Sequence, residues 1–345
     1  MVKEKGKNIY DIASEAGVSI ATVSRVLRGE TSVLPETRRK VEDVIAKRGY
    51  RPSAIARGLT QKHTNSLGIV LPKLTNPNYA MIFTGAYDEA TREGYVMSLF
   101  PWKSMDLKTG YDPMEVLAER RLDGLIMCVE YQKKESYDHL TASLENLSRY
   151  MPLVLIGCVP SELDYPTITY DMSLCASGVM EYLLEMNHTR IALLGGMKED
   201  MGVMSRDAGY RAALEKAKLP YISSYRVYGD STTRAGEQML TEMLDGLQRA
   251  YWPTAVIALN DLVALGALKA AREMGLRVPE DISIIGCDDL FCAPYSEPPL
   301  TSINMHQQEL GARAVRRLLR PDDKTRELAA WNIVKRQSSA PTEIV

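Results

Sequence analysis

The first fifty residues place their apolar positions at helical spacing. Ile9, Ile12, Ala13 and Ala16 fall on one face of a predicted first helix. Asn8 stands ahead of them as a cap, and Asp11 is its capping-box partner. Gly17 ends that helix, because glycine tolerates the left-handed geometry of a tight turn. Ser19 caps a second helix whose apolar face is Val18, Val23, Val26 and Leu27. Ala13 is small where these two helices must approach. Pro35 opens a third helix with Val41, Val44 and Ile45 inward. Ser19, Ile20, Ala21, Thr22, Ser24 and Arg25 are then left near the exposed, N-terminal side of the second helix. In a helix-turn-helix that end enters the major groove and meets base edges. The other reading of the same pattern is a plain three-helix bundle.

From residue 66 the rhythm changes. Short apolar runs predict strands at 67–71, 95–99, 122–127 and 153–156, with amphipathic helices at 79–92, 113–120 and 137–149 between them. After Asp171 the pattern restarts, with strands at 190–194, 225–228, 255–258 and 282–285. Helices fit 173–186, 205–216, 234–247 and 261–274. Such alternation builds parallel sheets with helices on both faces. Two halves of this kind make a bilobal, doubly wound α/β body with a cleft at the carboxyl ends of the strands.

Charge separates the head from the body. Residues 1–62 hold thirteen Lys and Arg against seven Asp and Glu, a balance of +6, while the remainder carries −8. The net charge of −2 conceals this split. A basic head on an acidic body suits a phosphate-binding module joined to a separate sensor. The 345 residues leave roughly 285 beyond the head, enough for two lobes. The five cysteines, Cys128, Cys158, Cys175, Cys287 and Cys292, show no zinc-type pairing, and the four histidines are scattered. With no secretory leader and no membrane-length apolar run, this predicts reduced thiols in a cytoplasm, no metal and no membrane. The 17 methionines read as filler for irregular core gaps. No dinucleotide fingerprint, P-loop, nucleophile elbow or zincin motif is present, so the residues argue against an enzyme and call for no cofactor.

Ile9–Ala16, Gly17-Val18-Ser19, Ala21–Leu27, Gly49-Tyr50-Arg51-Pro52 and Ala54-x-Ala56-Arg57-x-Leu59 together resemble the headpiece of the LacI/GalR family of bacterial transcription regulators. Two positions depart from the family pattern: Arg28 stands where Asn is usual, and Leu34 where a capping Ser is common. The first adds charge near the phosphates, and the second loosens the start of the third helix. The resemblance implies that residues around Ala54 and Arg57 form a hinge helix that folds only on DNA. Two such helices, one per subunit, would enter the minor groove, with Leu59 wedged between base pairs. Gly58 weakens that helix off DNA by roughly 0.5–1 kcal/mol relative to Ala.

The body resembles the periplasmic-binding-protein-like core of the same family along nearly its whole length. The matching pieces are Asn76-Pro77-x-Tyr79, Leu122–Ile126, Arg206-x-x-Gly209-Tyr210, Asn260-Asp261-x-x-Ala264-Leu265-Gly266, Gly286-x-Asp288-Asp289 and Pro299–Ile303. This implies a headpiece over 1–50 and a hinge and linker over 51–65. A first lobe would take 66–163 plus 294–325, and a second lobe 164–293 plus 326–345. It also implies an effector held by Asn78, Tyr79, Arg206, Asn260, Asp288 and Gln307. Arg206 would offer its planar fork of donors, Asn260 would donate and accept, Asp288 would accept from vicinal hydroxyls, and Tyr79 would stack on a sugar face. The plainer alternatives are an ion pair between Arg206 and Asp288, and core packing for Tyr79. Asp289 reads as a structural cap. Ser231 stands where several family members place an aromatic ring over the ligand, leaving Tyr79, Tyr295 or Trp102 to replace it.

The function implied is a homodimeric repressor on a pseudo-palindromic operator, acting at the nucleoid, with operator affinity set by a small ligand such as a sugar. A second reading is control by a phosphorylated carrier protein on the first lobe, at Arg313, Arg316, Arg317 and Arg320. A third and distant one is an α/β enzyme with a motif-free active site.

Overall fold

The computed structural model describes residues 8–27, 29–50, 63–101, 113–129, 134–320 and 325–343. The chain divides into two compact units, residues 1–64 and 65–345. Arg28, Ala54, Arg57, Leu59 and Trp102 lie outside the described residues.

The first unit holds α1 (Ile9–Ala16), α2 (Ile20–Leu27) and α3 (Pro35–Arg48). Asn8 Oδ1 accepts from the Asp11 amide at 2.9 Å while the Asp11 carboxylate accepts from the Asn8 amide at 3.2 Å, so the capping box closes. Gly17 takes a φ of +64° and ends α1. Ser19 Oγ accepts from the Thr22 amide at 3.1 Å and caps α2. Leu34, with no polar side chain, makes no such bond ahead of α3. Ile12, Ala13, Val23, Val26 and Val41 are buried at the centre of the three helices.

The second unit contains two six-stranded sheets. Strands β1 (Ser66–Leu71), β2 (Val96–Pro101), β3 (Gly124–Val129), β4 (Leu153–Gly157), β5 (Thr167–Thr169) and β11 (Arg326–Leu328) form the first. Their order is β11-β5-β4-β3-β1-β2, parallel throughout. Helices α4 (Pro77–Arg92), α5 (Pro113–Glu119), α6 (Lys134–Leu147) and α11 (Gln307–Leu318) accompany it. The second sheet holds β6 (Ile191–Leu194), β7 (Arg226–Val227), β8 (Ala255–Ala258), β9 (Ser283–Cys287), β10 (Thr301–Asn304) and β12 (Asn332–Val334). Its order is β12-β10-β9-β8-β6-β7, with only the β10–β12 pair antiparallel. Its helices are α7 (Met172–Glu185), α8 (Met201–Lys216), α9 (Thr233–Asp245) and α10 (Asp261–Glu273). The expected bilobal, doubly wound core is present.

Three crossings join the lobes, and they differ from the expected places. The first follows β5, which pairs with β4 in the first sheet, so the lobe runs past residue 163. The second comes after β10, not near 294, because β10 pairs with β9 in the second sheet. The third follows β11, which pairs with β5, so the first lobe keeps 326–328 and the crossing falls just past the expected 325. The short strands β5, β10, β11 and β12 lie outside the apolar runs from which strands were expected.

Helices of each lobe meet through glycines. A Cβ on Gly85 of α4 would lie 1.8 Å from the Gln308 carbonyl oxygen of α11, and one on Gly209 of α8 would lie 2.1 Å from the Ser173 carbonyl oxygen of α7. Neither neighbour can move without shifting a helix. Gly209→Ala is therefore expected to cost about 1–3 kcal/mol by overpacking, seen as a lower midpoint in thermal unfolding. An unchanged midpoint would contradict the close approach.

Candidate functional site

The cleft sits where the strands of both sheets end. A cavity of about 200 Å³ is lined from the first lobe by the segment after β1, the ends of β3 and β4, and Tyr170 after β5. From the second lobe it takes the turn after β6, the start of α8, Asp230-Ser231, Leu259-Asn260 and Asp288. Ligands of doubly wound folds bind at this edge.

Asparagine and aspartate caps bring much of the polar wall there. Asn76 caps α4, accepting from the Asn78 amide at 3.0 Å. Asp200 caps α8, accepting from the Val203 amide at 3.1 Å. Asn260 caps α10, accepting from the Val263 amide at 2.9 Å, and its Nδ2 donates to the Ser231 carbonyl at 3.3 Å. A cap points its helix N-terminus at the cleft, where partial positive charge gathers. Asn260 therefore spends its carbonyl oxygen on its own helix and faces the cavity mainly as a donor. Burial raises the pKa of Asp200, with the Val203 and Gly202 amides and the Lys73 and Arg206 charges opposing.

Arg206 and Asp288 occupy the buried wall. Arg206 is 7% exposed; its Nη1 donates to the Leu259 carbonyl at 2.6 Å and its Nη2 faces the sulfurs of Met172 and Cys287 at 3.3 and 3.8 Å. Asp288 is 9% exposed and follows β9 with a φ of +108°, a strained value for a residue with a Cβ. Its amide donates to the Ile303 carbonyl at 2.9 Å, and its carbonyl accepts from Gln307 Nε2 at 2.5 Å. These two bonds hold the backbone so that the carboxylate meets the cavity. Among the described residues no ion pair links that carboxylate to Arg206, so the plainer reading of the two charges does not hold. Burial pushes the Asp288 pKa well up, Asp261 adds to it, and Arg206 opposes it.

Of the expected effector residues, Asn78, Tyr79, Arg206, Asn260 and Asp288 all line this one cavity. Gln307 does not. It is buried, its amide nitrogen donates to the Asp288 carbonyl, and its Oε1 has no hydrogen-bond partner among the described residues. Gln307 thus stands behind the wall as a support for Asp288. Tyr79 lines the cavity and also packs on the first-lobe core. Asp289 caps no helix; its carboxylate pairs with Arg336 at 2.6 Å and accepts from Asn304 at 2.9 Å. Tyr295, 86% exposed, lies away from the cavity and cannot replace the absent ring at Ser231. Residue-level reasoning missed Lys73, Asp200, Tyr170, Met172, Met197 and Met201, which also line it. A search for capping Asp and Asn residues just after predicted strands would have found Asp200.

The arginines of α11 are turned to structural use. Arg313 pairs with Glu327, Arg317 with the same carboxylate at 2.6 Å, and Arg316 with Glu89 at 3.2 Å and Glu309 at 2.5 Å. Of the four, Arg320 is exposed and the other three are half-buried. This leaves little of the basic surface expected for a phosphorylated carrier.

In the headpiece, Ser19, Ile20, Ala21 and Arg25 are exposed along the start of α2 and its outer face, and Thr22 and Ser24 are half-buried. Arg25 Nε lies 3.8 Å from Glu30, a loose surface pair in this structure.

A helix-turn-helix unit joined to a two-lobed ligand-binding core defines a DNA-binding regulator that answers to a small molecule. Comparison with known proteins bears this out. Residues 8–53 match the family described as bacterial regulatory proteins, lacI family, and residues 180–339 match the periplasmic binding protein-like domain. Catabolite control protein A of Priestia megaterium is 34% identical over 311 residues, covering 90% of this chain and 91% of that protein. Among solved structures, the lac repressor dimer bound to operator and the anti-inducer ONPF superposes with a TM-score of 0.86 at 28% identity, covering 97% of this chain and all of that one. The complex of the transcriptional regulator CelR with cellobiose superposes at 0.70 with 29% identity, over 97% of this chain and all of that one. The chain belongs to the lacI family of bacterial regulatory proteins. It is a transcription regulator and not an enzyme, and regulators of this family work in the cytoplasm. No helix among the described residues is long and apolar enough to cross a membrane.

Asp261 gives the core a pH dependence. It is fully buried at the start of α10, accepting from Ser302 Oγ at 2.5 Å and from the Leu290 amide at 2.6 Å. A Cβ on Gly286 would lie 2.1 Å from its oxygen, so glycine is required there. Burial pushes its pKa up to about 7 from an ordinary 3.8. Between these values the folded state holds a proton that the unfolded chain has lost, so stability falls as pH rises through the window. Asp261→Asn removes the ionisation and keeps the shape. Between pH 5 and 7.5 the melting temperature of the wild type is expected to fall more than that of the variant. Parallel curves would contradict it.

Proposed function

We propose that this protein is a homodimeric repressor that binds a pseudo-palindromic operator on the nucleoid and changes its operator affinity when a sugar or sugar derivative enters the cleft. The observation that carries the ligand half is the buried Asp288 carboxylate, which lines the cavity with no hydrogen-bond or ion-pair partner among the described residues. A buried acceptor in this position is completed by a hydroxyl-bearing ligand. Arg206, Asn78 and the free N–H of Asn260 would complete a set suited to vicinal hydroxyls and a ring oxygen, with Tyr79 against an apolar ring face. The cellobiose complex of a related regulator supports the sugar class.

The DNA half rests on the headpiece. Ser19, Ile20, Ala21, Thr22, Ser24 and Arg25 would meet the major groove, with Arg28 on phosphate, while Ala54, Arg57 and Leu59 of each subunit would take the minor groove at the operator centre. The headpiece is residues 1–50 and the hinge 51–65. The two-fold axis of the dimer would match that of the operator. An effector need supply only about 1–3 kcal/mol of coupling to switch such a system.

A thermal-shift screen of sugars identifies the ligand, and Asp288→Asn then tests the site. Loss of a charge-assisted acceptor costs about 1.5–3 kcal/mol, so ligand affinity should fall about ten- to a hundredfold by calorimetry. Operator binding without ligand should persist in fluorescence anisotropy. Wild-type ligand affinity in the variant would remove Asp288 from the site, and loss of both activities would make it structural.

A further inference from the structure

The cavity changes character from its floor to its mouth. Its buried lining carries three polar side chains, Arg206, Asn260 and Asp288, at 7%, 5% and 9% exposed, among apolar ones such as Ile82 and Ile156. Its mouth carries Met197, on the turn after β6, and Met201, the first residue of α8. These are 42% and 43% exposed, although both are large apolar side chains. Met204, one turn along α8, is 55% exposed beside them in sequence and on the same helical stripe. Met172 continues the thioether surface inward, its sulfur 3.3 Å from the Arg206 guanidinium. At residue 231, on the segment that follows Gly229 and its bridge to Gly196, the cavity has a serine.

The turn that carries Met197 is fixed by backbone needs. Gly195 and Gly196 take φ values of +96° and +84°, and Val203 of α8 lies directly under Gly196. Asp200 caps α8 between the two methionines. The thioethers are thus presented from a rigid edge and flank one carboxylate. Flexible, polarizable methionines left in water at the lip of a polar cavity form a surface that adapts to apolar groups of varied shape.

Resting on the sugar reading above, we infer that the effector is amphipathic: a hydroxylated head that enters the floor, carrying a flexible apolar substituent that lies across Met197 and Met201. Such a ligand is an alkyl- or acyl-bearing glycoside, not a free sugar. The floor sets which head binds, and the methionines supply affinity from the tail.

The test uses the full-length protein and matched methyl and n-hexyl β-glycosides of glucose, galactose, xylose and ribose, all below their micellar concentrations. Calorimetry is run on the wild type and on the double variant Met197→Ala, Met201→Ala. Both residues are exposed, so the fold should survive their truncation. Partial burial of the longer chain is expected to tighten at least one hexyl glycoside by about tenfold over its methyl partner. The double variant should lose that gain, binding each hexyl glycoside no more tightly than its methyl partner. Equal affinity within every pair in the wild type would overturn the inference and leave the sugar reading standing. A gain that persists in the double variant would overturn the assignment to the methionines. If no glycoside of either kind binds, the sugar reading fails and this inference with it.

Discussion

Two opposite charges buried on one wall of the cleft, yet not joined to each other, set the conditions for the rest of the core. Removing a charge from water is costly unless it is paired or well hydrogen-bonded. Arg206 recovers part of that cost from the Leu259 carbonyl and from soft sulfur neighbours. Asp288 recovers less, so burial raises its pKa, and its backbone is held at a strained, positive φ. The holding is done by the Ile303 carbonyl, from the neighbouring strand, and by Gln307, the first residue of α11. A protein retains such an arrangement where the missing partner arrives from outside.

The same constraint gives the core a route between its lobes. Helix α11 packs on the first lobe through Leu310, Ala314, Val315 and Leu318, and through Gly311 against the Ile82 carbonyl of α4. Its first residue grips the backbone of the second-lobe residue that faces the cavity. On the other side of the cleft, the Cys158 sulfur rests against Gly202 in the first turn of α8. A ligand drawn to Asp288 therefore acts on contacts that already span both lobes. Helices capped by Asn76, Asp200 and Asn260 add their N-terminal charge to the same space. The cavity thus sets Arg206, Asn260 and Asp288 among buried apolar side chains such as Ile82, Val129 and Ile156, and carries exposed apolar side chains at the methionine lip.

Much of this was legible in the residues, and the remainder was hidden for identifiable reasons. The capping box at Asn8, the stop at Gly17 and the long helices of both lobes followed from spacing and cap chemistry, which are local. The crossings did not, because they depend on which sheet β5, β10 and β11 join, and that is settled by strand pairing and not by local pattern. Asn78, Tyr79, Arg206, Asn260 and Asp288 were grouped by resemblance, and the cavity gathers them. Gln307 shared the same resemblance but lies one layer back, a distinction that depends on which way a single amide points. The methionines read as core filler in a composition count; only their exposure at the lip separates Met197 and Met201 from the rest.

The central claim is that the cleft and the operator site are linked through one equilibrium. Reciprocal titration tests this most directly. Operator affinity is measured without and with saturating effector, and effector affinity without and with saturating operator, on the same full-length dimer. Linkage predicts the same factor in both directions, about five- to 150-fold. An effector that binds the cleft yet leaves operator affinity unchanged, or two factors that disagree beyond error, would contradict the account.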